Sequence, residues 1–379
     1  MKITKVDVYP VSHKMGPGEG PTLGVGRMIK RDAIIIKITS DDGLVGWGEA
    51  HHAKAPAAVA RLIEGTLANM VVGMSAFDVV GVWHRLYRGH LATHGMGAGT
   101  VIAMSGIDMA LWDLRGKAAG LPLCQLLGGD FKDLPAYAGG LSLGFQPEMQ
   151  LVEEASGLVE QGYRALKLRL GDTPANDLAR VQAVRKGLGP EVEILTDVNA
   201  AYDLAQVAAL IPGLDESRVG WLEEPFPPFD EYNYKRAATM GRTPLAAGEN
   251  HYTRFDFARL LEQDTVTVLQ PDLSKAGGIT EVLRIAAMAS VRRLSINPHT
   301  SMSGLNMAAS LHLLSAIENP GFFEADVSRS NLFRTALTSE PYSLDANGKV
   351  QAPNGPGLGV EVDEGFLAAH PLIDGPCYV

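Results

Sequence analysis

The sequence predicts an α/β protein whose larger part is a modified (β/α)7β barrel of the TIM type, preceded by an α+β capping domain. From about residue 130 onward, eight short apolar segments alternate with stretches of helical length. Eight strand–helix units, spaced by roughly 20 to 30 residues, are typical of a closed barrel. No GxGxxG motif follows any of these segments, which argues against an open dinucleotide-binding sheet.

The capping domain is predicted over residues 1–125. Its first 50 residues alternate as antiparallel strands, in ITKVDVYPV, AIIIKIT and LVGWGEA, with a turn at SDDG. Apolar residues then recur at helical spacing in AAVARLIEGTLANMVVG, FDVVGVWHRLY and TVIAMSGIDMALWDLRGKAAG. The Gly-rich residues 16–26 lie in a long loop between the first two strands, and we expect them to act as a closing lid.

The barrel domain is predicted over residues 126–345, and residues 346–379 are predicted to pack back on the cap. The eight candidate strands are LPAYAGG, ALKLRLG, EILTDVN, GWLEEP, PLAAGEN, VTVLQPD, LSINPHT and GFFEADV. The second of these contains two cations, Lys167 and Arg169. Because side chains alternate along a strand, both cations point to the same face, opposite the three leucines.

Composition excludes several classes of function. The 379-residue chain carries a formal net charge of −10 and has no long basic run, so we expect no nucleic-acid partner. No apolar run reaches the ~18 residues of a spanning helix, and the N-terminus lacks the apolar core of a signal peptide. The two cysteines, Cys124 and Cys377, follow no metal-binding spacing. These features predict a soluble, cytoplasmic protein without a membrane partner, and such proteins are commonly homo-oligomers.

Polar residues follow the apolar runs where the predicted strands end. The carboxyl ends of barrel strands carry the reactive groups. Asp197, Glu223 and Glu249 are spaced by 26 residues each, which is one strand–helix unit. Three neighbouring carboxylates repel one another unless a cation lies among them, and oxygen ligands favour Mg²⁺. Pairing of these carboxylates with Lys167 and Arg169 is the alternative.

Two further strand ends predict an acid/base pair. Asp272 and His299 come from consecutive strands, and a carboxylate beside an imidazole fixes its tautomer and raises its basicity. Other strand ends carry Asn199, Glu224, Asn250 and Glu324.

Taken together, these motifs resemble the enolase superfamily, specifically its mandelate racemase subgroup. The similarity covers essentially the whole chain and rests on SGIDMALWDLRGKA, TDVN, WLEEP, AAGEN, QPDLSKAGGIT, NPHTS and PGLGVEV in that order. It implies that Asp197, Glu223 and Glu249 bind Mg²⁺ and that Asp272 and His299 form an acid/base dyad. It further implies that Glu324 contacts the substrate carboxylate. Glu224, Asn199 and Asn250 are then expected to support the site or to contact substrate.

The chain departs from the family pattern at Arg169. The family often has Lys-x-Lys on this strand, with the second lysine acting as a base opposite the histidine. Guanidinium, with a pKa above ~12, is an implausible base at neutral pH. The site is therefore predicted to hold one base, His299, with Lys167 as electrostatic helper and reserve base. Lys275 is out of register with Asp272 and is interpreted as a loop residue.

A single base favours elimination, so we predict a Mg²⁺-dependent acid-sugar dehydratase that yields a 2-keto-3-deoxy acid. A racemase or epimerase of a 2-hydroxy or amino acid, and a lactone cycloisomerase, are the alternatives. A non-catalytic barrel that binds an anion is the least favoured. The substrate is expected to be a small aldonate or aldarate, contacted by basic residues of the cap. Those candidates are His13, Lys14, Arg27, Lys30, Arg31, His51, His52 and Lys54.

Overall fold

The structure is a computed structural model that describes residues 1–16, 18–300 and 302–379. Pro17 of the predicted lid and Ser301 of the NPHTS motif lie outside the described residues. In the cap, a three-stranded antiparallel sheet has the order β1-β4-β5. Its strands are β1 (Ile3–Lys14), β4 (Lys30–Ser40) and β5 (Val45–Ala50). A small hairpin of β2 (Thr22–Leu23) and β3 (Gly26–Arg27) lies within the predicted lid region.

Helices cover one face of this sheet. They are α1 (Pro56–Leu62), α2 (Ala68–Val71), α3 (Val79–Leu86) and α4 (Ala98–Ala119), with π-helical turns at Ile63–Leu67 and Tyr87–Leu91. The longest, α4, is buried along most of its length and packs on β5. Glycines permit this close approach, because a side chain at Gly48 would collide with the carbonyl oxygen of Gly106. The GWGE segment of β5 is thereby held against the helix.

The barrel is a ring of parallel strands. They are β6 (Leu134–Gly139), β7 (Ala165–Arg169), β8 (Glu193–Asp197), β9 (Leu222–Glu223), β10 (Leu245–Ala247), β11 (Val268–Leu269) and β12 (Phe323–Asp326). They pair in the order β11-β10-β9-β8-β7-β6-β12, and parallel bridges from Leu269 to Ile296 and from Ile296 to Pro320 close the ring. The (β/α)7β barrel with an N-terminal cap is therefore confirmed.

The predicted seventh strand, LSINPHT, is reduced to the single bridging residue Ile296. Pro298 follows two positions later and has no N–H to continue the ladder. The chain therefore leaves the sheet there and runs into the loop that carries His299.

The remaining helices alternate with the strands or follow them. They are α5 (Leu123–Leu126), α6 (Glu148–Glu160), α7 (Pro174–Leu188), α8 (Leu204–Glu216), α9 (Glu231–Ala237), α10 (Thr253–Gln263), α11 (Gly278–Val291), α12 (Gly304–Ala316), α13 (Leu332–Thr335) and α14 (Glu364–Ala369). None of the described helices has the length and hydropathy needed to cross a membrane.

The C-terminal segment contacts both domains. Strand β13 (Lys349–Val350) pairs antiparallel with the start of β6. Farther along, Pro371 bridges Val11, and Tyr378 bridges Met28. The end of the chain therefore lies against the cap, whereas its beginning at residue 349 is part of the barrel sheet. The boundaries at residues 125 and 345 stay predictions.

Candidate active site

A cavity of about 370 Å³ lies between the cap and the carboxyl ends of the barrel strands. Nine of the predicted site residues line it: His51, His52, Lys54, Arg169, Asn199, Glu224, Glu249, Asn250 and His299. Five others are fully buried and contact this lining or one another: Lys167, Asp197, Glu223, Asp272 and Glu324. The barrel thus brings residues from the ends of β7 to β12, and His299 from the loop after Ile296, to one place.

Lys167 lies at the centre of the buried charges. Its Nζ is 3.0 Å from Oε1 of Glu223, 3.0 Å from Oε1 of Glu324 and 3.7 Å from Oδ2 of Asp197. Burial alone would lower the pKa of Lys167, but Glu223 and Glu324 raise it above its usual value. In this arrangement Lys167 is a fixed cation. This geometry favours the role of electrostatic helper over that of base.

Arg169 is locked to the neighbouring strand. Its guanidinium donates hydrogen bonds to the Asp197 carboxylate and to the carbonyl oxygen of Gly140. The other oxygen of Asp197 accepts from the backbone N–H of Asn199 at 2.9 Å. The pairing of carboxylates with Lys167 and Arg169, which the sequence left open, is thus present for Glu223 and Asp197.

His299 bridges two carboxylates. Its Nε2 is 2.9 Å from Oε2 of Glu249, and its Nδ1 is 2.8 Å from Oδ2 of Asp272. Burial opposes the charged ring, but Glu249 and Asp272 raise the pKa of His299 well above its usual value. On the side away from the ring, Oδ1 of Asp272 accepts hydrogen bonds from Ser274 and Asn306. Asp272 is therefore held in one orientation toward Nδ1.

Two residues with positive φ angles break the usual alternation of side chains. Successive residues of a strand point to opposite faces, yet Glu223 and Glu224 both face the barrel mouth. Glu224 has φ +38°, and Oε2 of its carboxylate accepts from Nδ2 of Asn250 at 2.7 Å. Asn199 follows β8 with φ +51°. Such strained conformations cluster at functional sites.

Glu223 is supported from the barrel interior. Its Oε2 accepts from Nε2 of Gln270 at 2.7 Å and from Nε1 of Trp221 at 3.2 Å. Burial and the nearby charge of Asp197 raise the pKa of Glu223 to about 7. Repulsion between its negative charges therefore destabilises this patch.

Lys275 was interpreted from the sequence as a loop residue without a part in the site. It does follow β11 in a loop, but it is 4% exposed and lines the cavity. Its Nζ donates to Oδ1 of Asn250 at 2.9 Å and lies 3.8 Å from Glu249. The backbone turns between Asp272 and Lys275, because the N–H of Lys275 bonds to the Asp272 carbonyl at 3.0 Å. A turn brings residues three apart to one side, which strand periodicity does not anticipate.

Three of the predicted basic residues of the cap line the cavity. His51 and His52 line the cavity and are stacked, with ring centroids 4.3 Å apart. Burial, with Lys275 next, lowers the pKa of His52 to about 3, so this ring is neutral. The cavity lining also includes Lys54 and Tyr378.

Arg27 and Arg31, both predicted to bind substrate, are not among the described residues that line the cavity. Arg27 is exposed on the lid hairpin. Arg31 is buried, with its guanidinium 3.5 Å from Asp326 at the end of β12. Lys30 is likewise buried and donates to Asp32 at 3.0 Å. Tertiary packing has therefore placed part of the predicted cationic cluster away from the cavity.

The site fits a divalent cation by its donors and by its charge. Oε1 of Glu224 and Oδ1 of Asn199 are buried without a hydrogen-bond partner among the described residues. Six carboxyl groups meet four cationic groups here, and burial together with this excess of carboxyl groups raises the pKa of Glu223 and of Glu224. The carboxyl groups are Asp197, Glu223, Glu224, Glu249, Asp272 and Glu324, and the cations are Lys167, Arg169, Lys275 and protonated His299. Oxygen donors with this excess of carboxyl groups suit Mg²⁺.

Comparison with known proteins identifies the family of this chain. Residues 6–128 match the family described as mandelate racemase / muconate lactonizing enzyme, N-terminal domain. Residues 150–366 match the family described as enolase C-terminal domain-like. The chain belongs to the enolase superfamily. Within it, the N-terminal match places the chain with the mandelate racemase and muconate lactonizing enzymes.

Two curated relatives from this superfamily cover most of the chain. A D-galactarolactone cycloisomerase from Agrobacterium fabrum is 32% identical over 99% of this chain and 100% of its own length. A D-galactonate dehydratase from Verminephrobacter eiseniae is 33% identical over 88% of this chain and 90% of its own length.

Solved structures of the enolase superfamily share the fold throughout. A member of the superfamily from Polaromonas sp. JS666 is 52% identical, covers 100% of both chains and has a TM-score of 0.98. A racemase from Streptomyces coelicolor A3(2) with bound magnesium is 27% identical. It covers 98% of this chain and 100% of its own, with a TM-score of 0.88.

Proposed function

We propose that this enolase-superfamily protein is a Mg²⁺-dependent hydro-lyase acting on an acid sugar. The observation that carries the proposal is the asymmetry of the site. The His299–Asp272 dyad lies at the cavity, whereas Arg169, bonded to Asp197, occupies the place of a second base. Removal of an α-proton followed by β-elimination needs one base, while inversion of a stereocentre needs a base on each face.

Asp197, Glu223 and Glu249 are the residues that would hold Mg²⁺, with Glu224 and Asn199 supplying further oxygen atoms nearby. When bound, the ion would stabilise the negative charge that develops on the substrate carboxylate as the α-proton leaves. The magnesium in the Streptomyces racemase supports this assignment.

The protein's own residues then have separate tasks. His299 lines the cavity, and its Nε2, the nitrogen that does not contact Asp272, lies 2.9 Å from Glu249. Asp272 holds the ring through Nδ1 and stabilises the charged form. Lys167 and Glu324 form a buried pair, with Lys167 adding a fixed positive charge beneath the reacting carboxylate.

The proposed reaction needs no reactant besides the substrate. In its neutral form, His299 takes the α-proton as the α-carbon–hydrogen bond breaks, and a carbon–carbon double bond forms between the α-carbon and the carboxylate carbon. The β-carbon–oxygen bond then breaks, and the departing hydroxyl receives a proton from His299 to leave as water. The resulting enol tautomerises to a 2-keto-3-deoxy acid. The relative named D-galactonate dehydratase supports this reaction class.

A lactone cycloisomerase is the second candidate, because the relative named D-galactarolactone cycloisomerase matches the chain over 99% of its length. The same base would take the α-proton, and the ring oxygen would be the leaving group. Homo-oligomerisation and a cytoplasmic location stay predictions.

A substrate screen tests the proposal. The protein is incubated with aldonates, aldarates and their lactones in D₂O containing Mg²⁺, and products are followed by ¹H NMR. A 2-keto-3-deoxy acid supports the dehydratase, and opening of a lactone supports the cycloisomerase. Deuterated, inverted acid as the sole product would overturn both. His299→Asn should abolish turnover, whereas His94→Asn, at an exposed position of the cap, should retain it.

A further inference from the structure

Glu49 is a carboxylic acid buried between the cap and the barrel. It lies on β5, in the GWGE segment that packs against α4, and it is fully buried. Its Oε2 accepts hydrogen bonds from the backbone N–H of Ser303, at 3.1 Å, and from the Ser303 hydroxyl. Its Oε1 is buried and has no hydrogen-bond partner within the described part of the chain. Burying a carboxyl oxygen without a hydrogen-bond partner costs free energy, so the presence of Glu49 here needs an explanation.

Ser303 connects Glu49 to the catalytic dyad. It is the N-cap residue of α12, and its Oγ accepts from the N–H of Leu305 at 3.2 Å. In the first turn of the same helix, Nδ2 of Asn306 donates to Oδ1 of Asp272 at 3.1 Å. The position of this turn therefore determines one of the hydrogen bonds that orient Asp272.

A second contact of the same cap segment reaches the other donors to Asp272. The N–H of His51, two residues after Glu49, bonds to the carbonyl oxygen of Ser274 at 3.1 Å. Ser274 donates to Oδ1 of Asp272 through both its N–H and its hydroxyl, each at 2.7 Å. The hydrogen bonds that this oxygen accepts from the described residues thus come from Ser274, which the end of β5 contacts, and from Asn306, which it reaches through α12.

We propose that Glu49 is a positioning residue for the dyad: through Ser303 and the first turn of α12 it seats Asp272, and with it His299, without touching substrate. The inference rests on the proposed function for its catalytic consequence. It also gives the cap a second task, since docking of β5 completes the orientation of the base.

The charge state of Glu49 agrees with this role. Burial raises the pKa of Glu49 to about 8, against the opposing hydrogen bond from Ser303, and the nearby charge of Asp272 raises it further. At neutral pH the carboxyl is therefore mostly protonated and accepts from Ser303 without placing a second negative charge beside Asp272. Glutamine has the same shape, is neutral and keeps an acceptor oxygen, so it should replace glutamate.

The test compares Glu49→Ala and Glu49→Gln with a matched control. Asp108 is another buried cap carboxyl that bonds to the barrel, at the N–H of Thr280 (2.9 Å), but it has no contact with Asp272. We expect Glu49→Ala to lower kcat about 10- to 100-fold with KM within about threefold, which is the usual range for lost orientation. Glu49→Gln should restore kcat to within about threefold, and Asp108→Ala should leave kcat nearly unchanged.

The measurements separate positioning from loss of stability. The deuterium isotope effect on kcat with α-deuterated substrate should increase in Glu49→Ala, because proton removal becomes slower. Equal losses of kcat in Glu49→Ala and Asp108→Ala would show that Glu49 only helps to dock the cap on the barrel. A Gln variant as impaired as Ala would likewise overturn the proposal.

One readout does not depend on turnover, so failure of the proposed function leaves this inference testable. The ¹⁵N resonances of the His299 ring, assigned by comparison with His299→Asn, report its contact with Asp272. They should shift in Glu49→Ala and stay in place in Glu49→Gln and Asp108→Ala. Unchanged resonances in Glu49→Ala would overturn the proposal, whatever the substrate.

Discussion

Arg169 and Asp197 are register partners on adjacent parallel strands, and the guanidinium of one donates to the carboxylate of the other. Both side chains are buried. Burial alone would lower the pKa of Arg169, but Asp197 raises it above its usual value. The Arg169 guanidinium is therefore a permanent cation in the site and cannot act as a base.

Arg169→Lys tests whether this cation restricts the reaction. A lysine amine, unlike a guanidinium, has a proton that it can lose and take up, so the variant places a second candidate base on this strand. We expect elimination to slow about tenfold, since the contact with Gly140 is lost, and the α-epimer of the substrate to appear. The measurement is ¹H NMR in D₂O, which follows deuterium at the α-carbon and the configuration of the recovered acid.

Arg169→Met is the control for Arg169→Lys, because it removes the charge without adding a base. It should slow elimination and give no epimer. Retention of configuration in the lysine variant would show that access to the second face, rather than the missing base, limits the chemistry.

Removal of the metal ion should abolish activity, and Mg²⁺ should restore it. Because ligand binding to the folded state stabilises a protein, saturating Mg²⁺ at about 100 times Kd should add about 2.7 kcal/mol to the free energy of unfolding. Glu223→Gln should weaken Mg²⁺ binding at least tenfold by calorimetry. Glu231→Gln, at an exposed carboxylate of α9, should bind Mg²⁺ like the wild type. Full Mg²⁺ affinity in Glu223→Gln would remove Glu223 from the ligand set.

Asp272→Asn should lower kcat about 10²- to 10⁴-fold, the usual contribution of a positioned acid/base group. An amide oxygen at Oδ1 keeps the hydrogen bonds from Ser274 and Asn306, and this orientation turns the amide N–H₂ group toward Nδ1 of His299. The ring then loses the hydrogen bond that fixes its tautomer. Steady-state kinetics provide the measurement, with the exposed Asp374→Asn as control. A loss below about tenfold would show that His299 acts without Asp272.

Much of the fold was predictable because barrel strands leave a strong local pattern. Apolar runs such as EILTD are buried on both faces, and each ends in a polar residue at the cavity. The seventh strand was overestimated, since the pattern LSIN ignores the effect of Pro298 on the ladder.

The parts of the site that escaped prediction depend on contacts between distant segments. Glu49 lies within a strand of the cap, and only the docked barrel gives it Ser303 as a partner. Lys275 reaches the cavity through a turn. Arg31 fits the pattern of a substrate cation, yet packing pairs it with Asp326. Local sequence periodicity contains none of this information.

Acid should destabilise the fold through His312, which links α12 to α5 and the C-terminal segment. Its Nδ1 accepts from the N–H of Cys124, and its Nε2 contacts the carbonyl oxygen of Leu358, both at 3.1 Å. Burial lowers the pKa of His312 to about 4, against an ordinary 6.5. Below pH 6.5 the unfolded chain therefore binds a proton that the folded chain excludes, and stability falls until about pH 4.

The expected loss from His312 is on the order of 3 kcal/mol between these limits. His312→Gln keeps one acceptor and one donor but does not titrate, so its unfolding free energy should vary less with pH over this window. Urea unfolding at pH 7.5, 6.0 and 4.5 provides the measurement. His94→Gln, at an exposed position, should follow the wild type. Parallel pH curves for the wild type and His312→Gln would contradict the assignment, and the acid sensitivity would then belong to the other buried histidines, such as His251, whose pKa burial lowers to about 4.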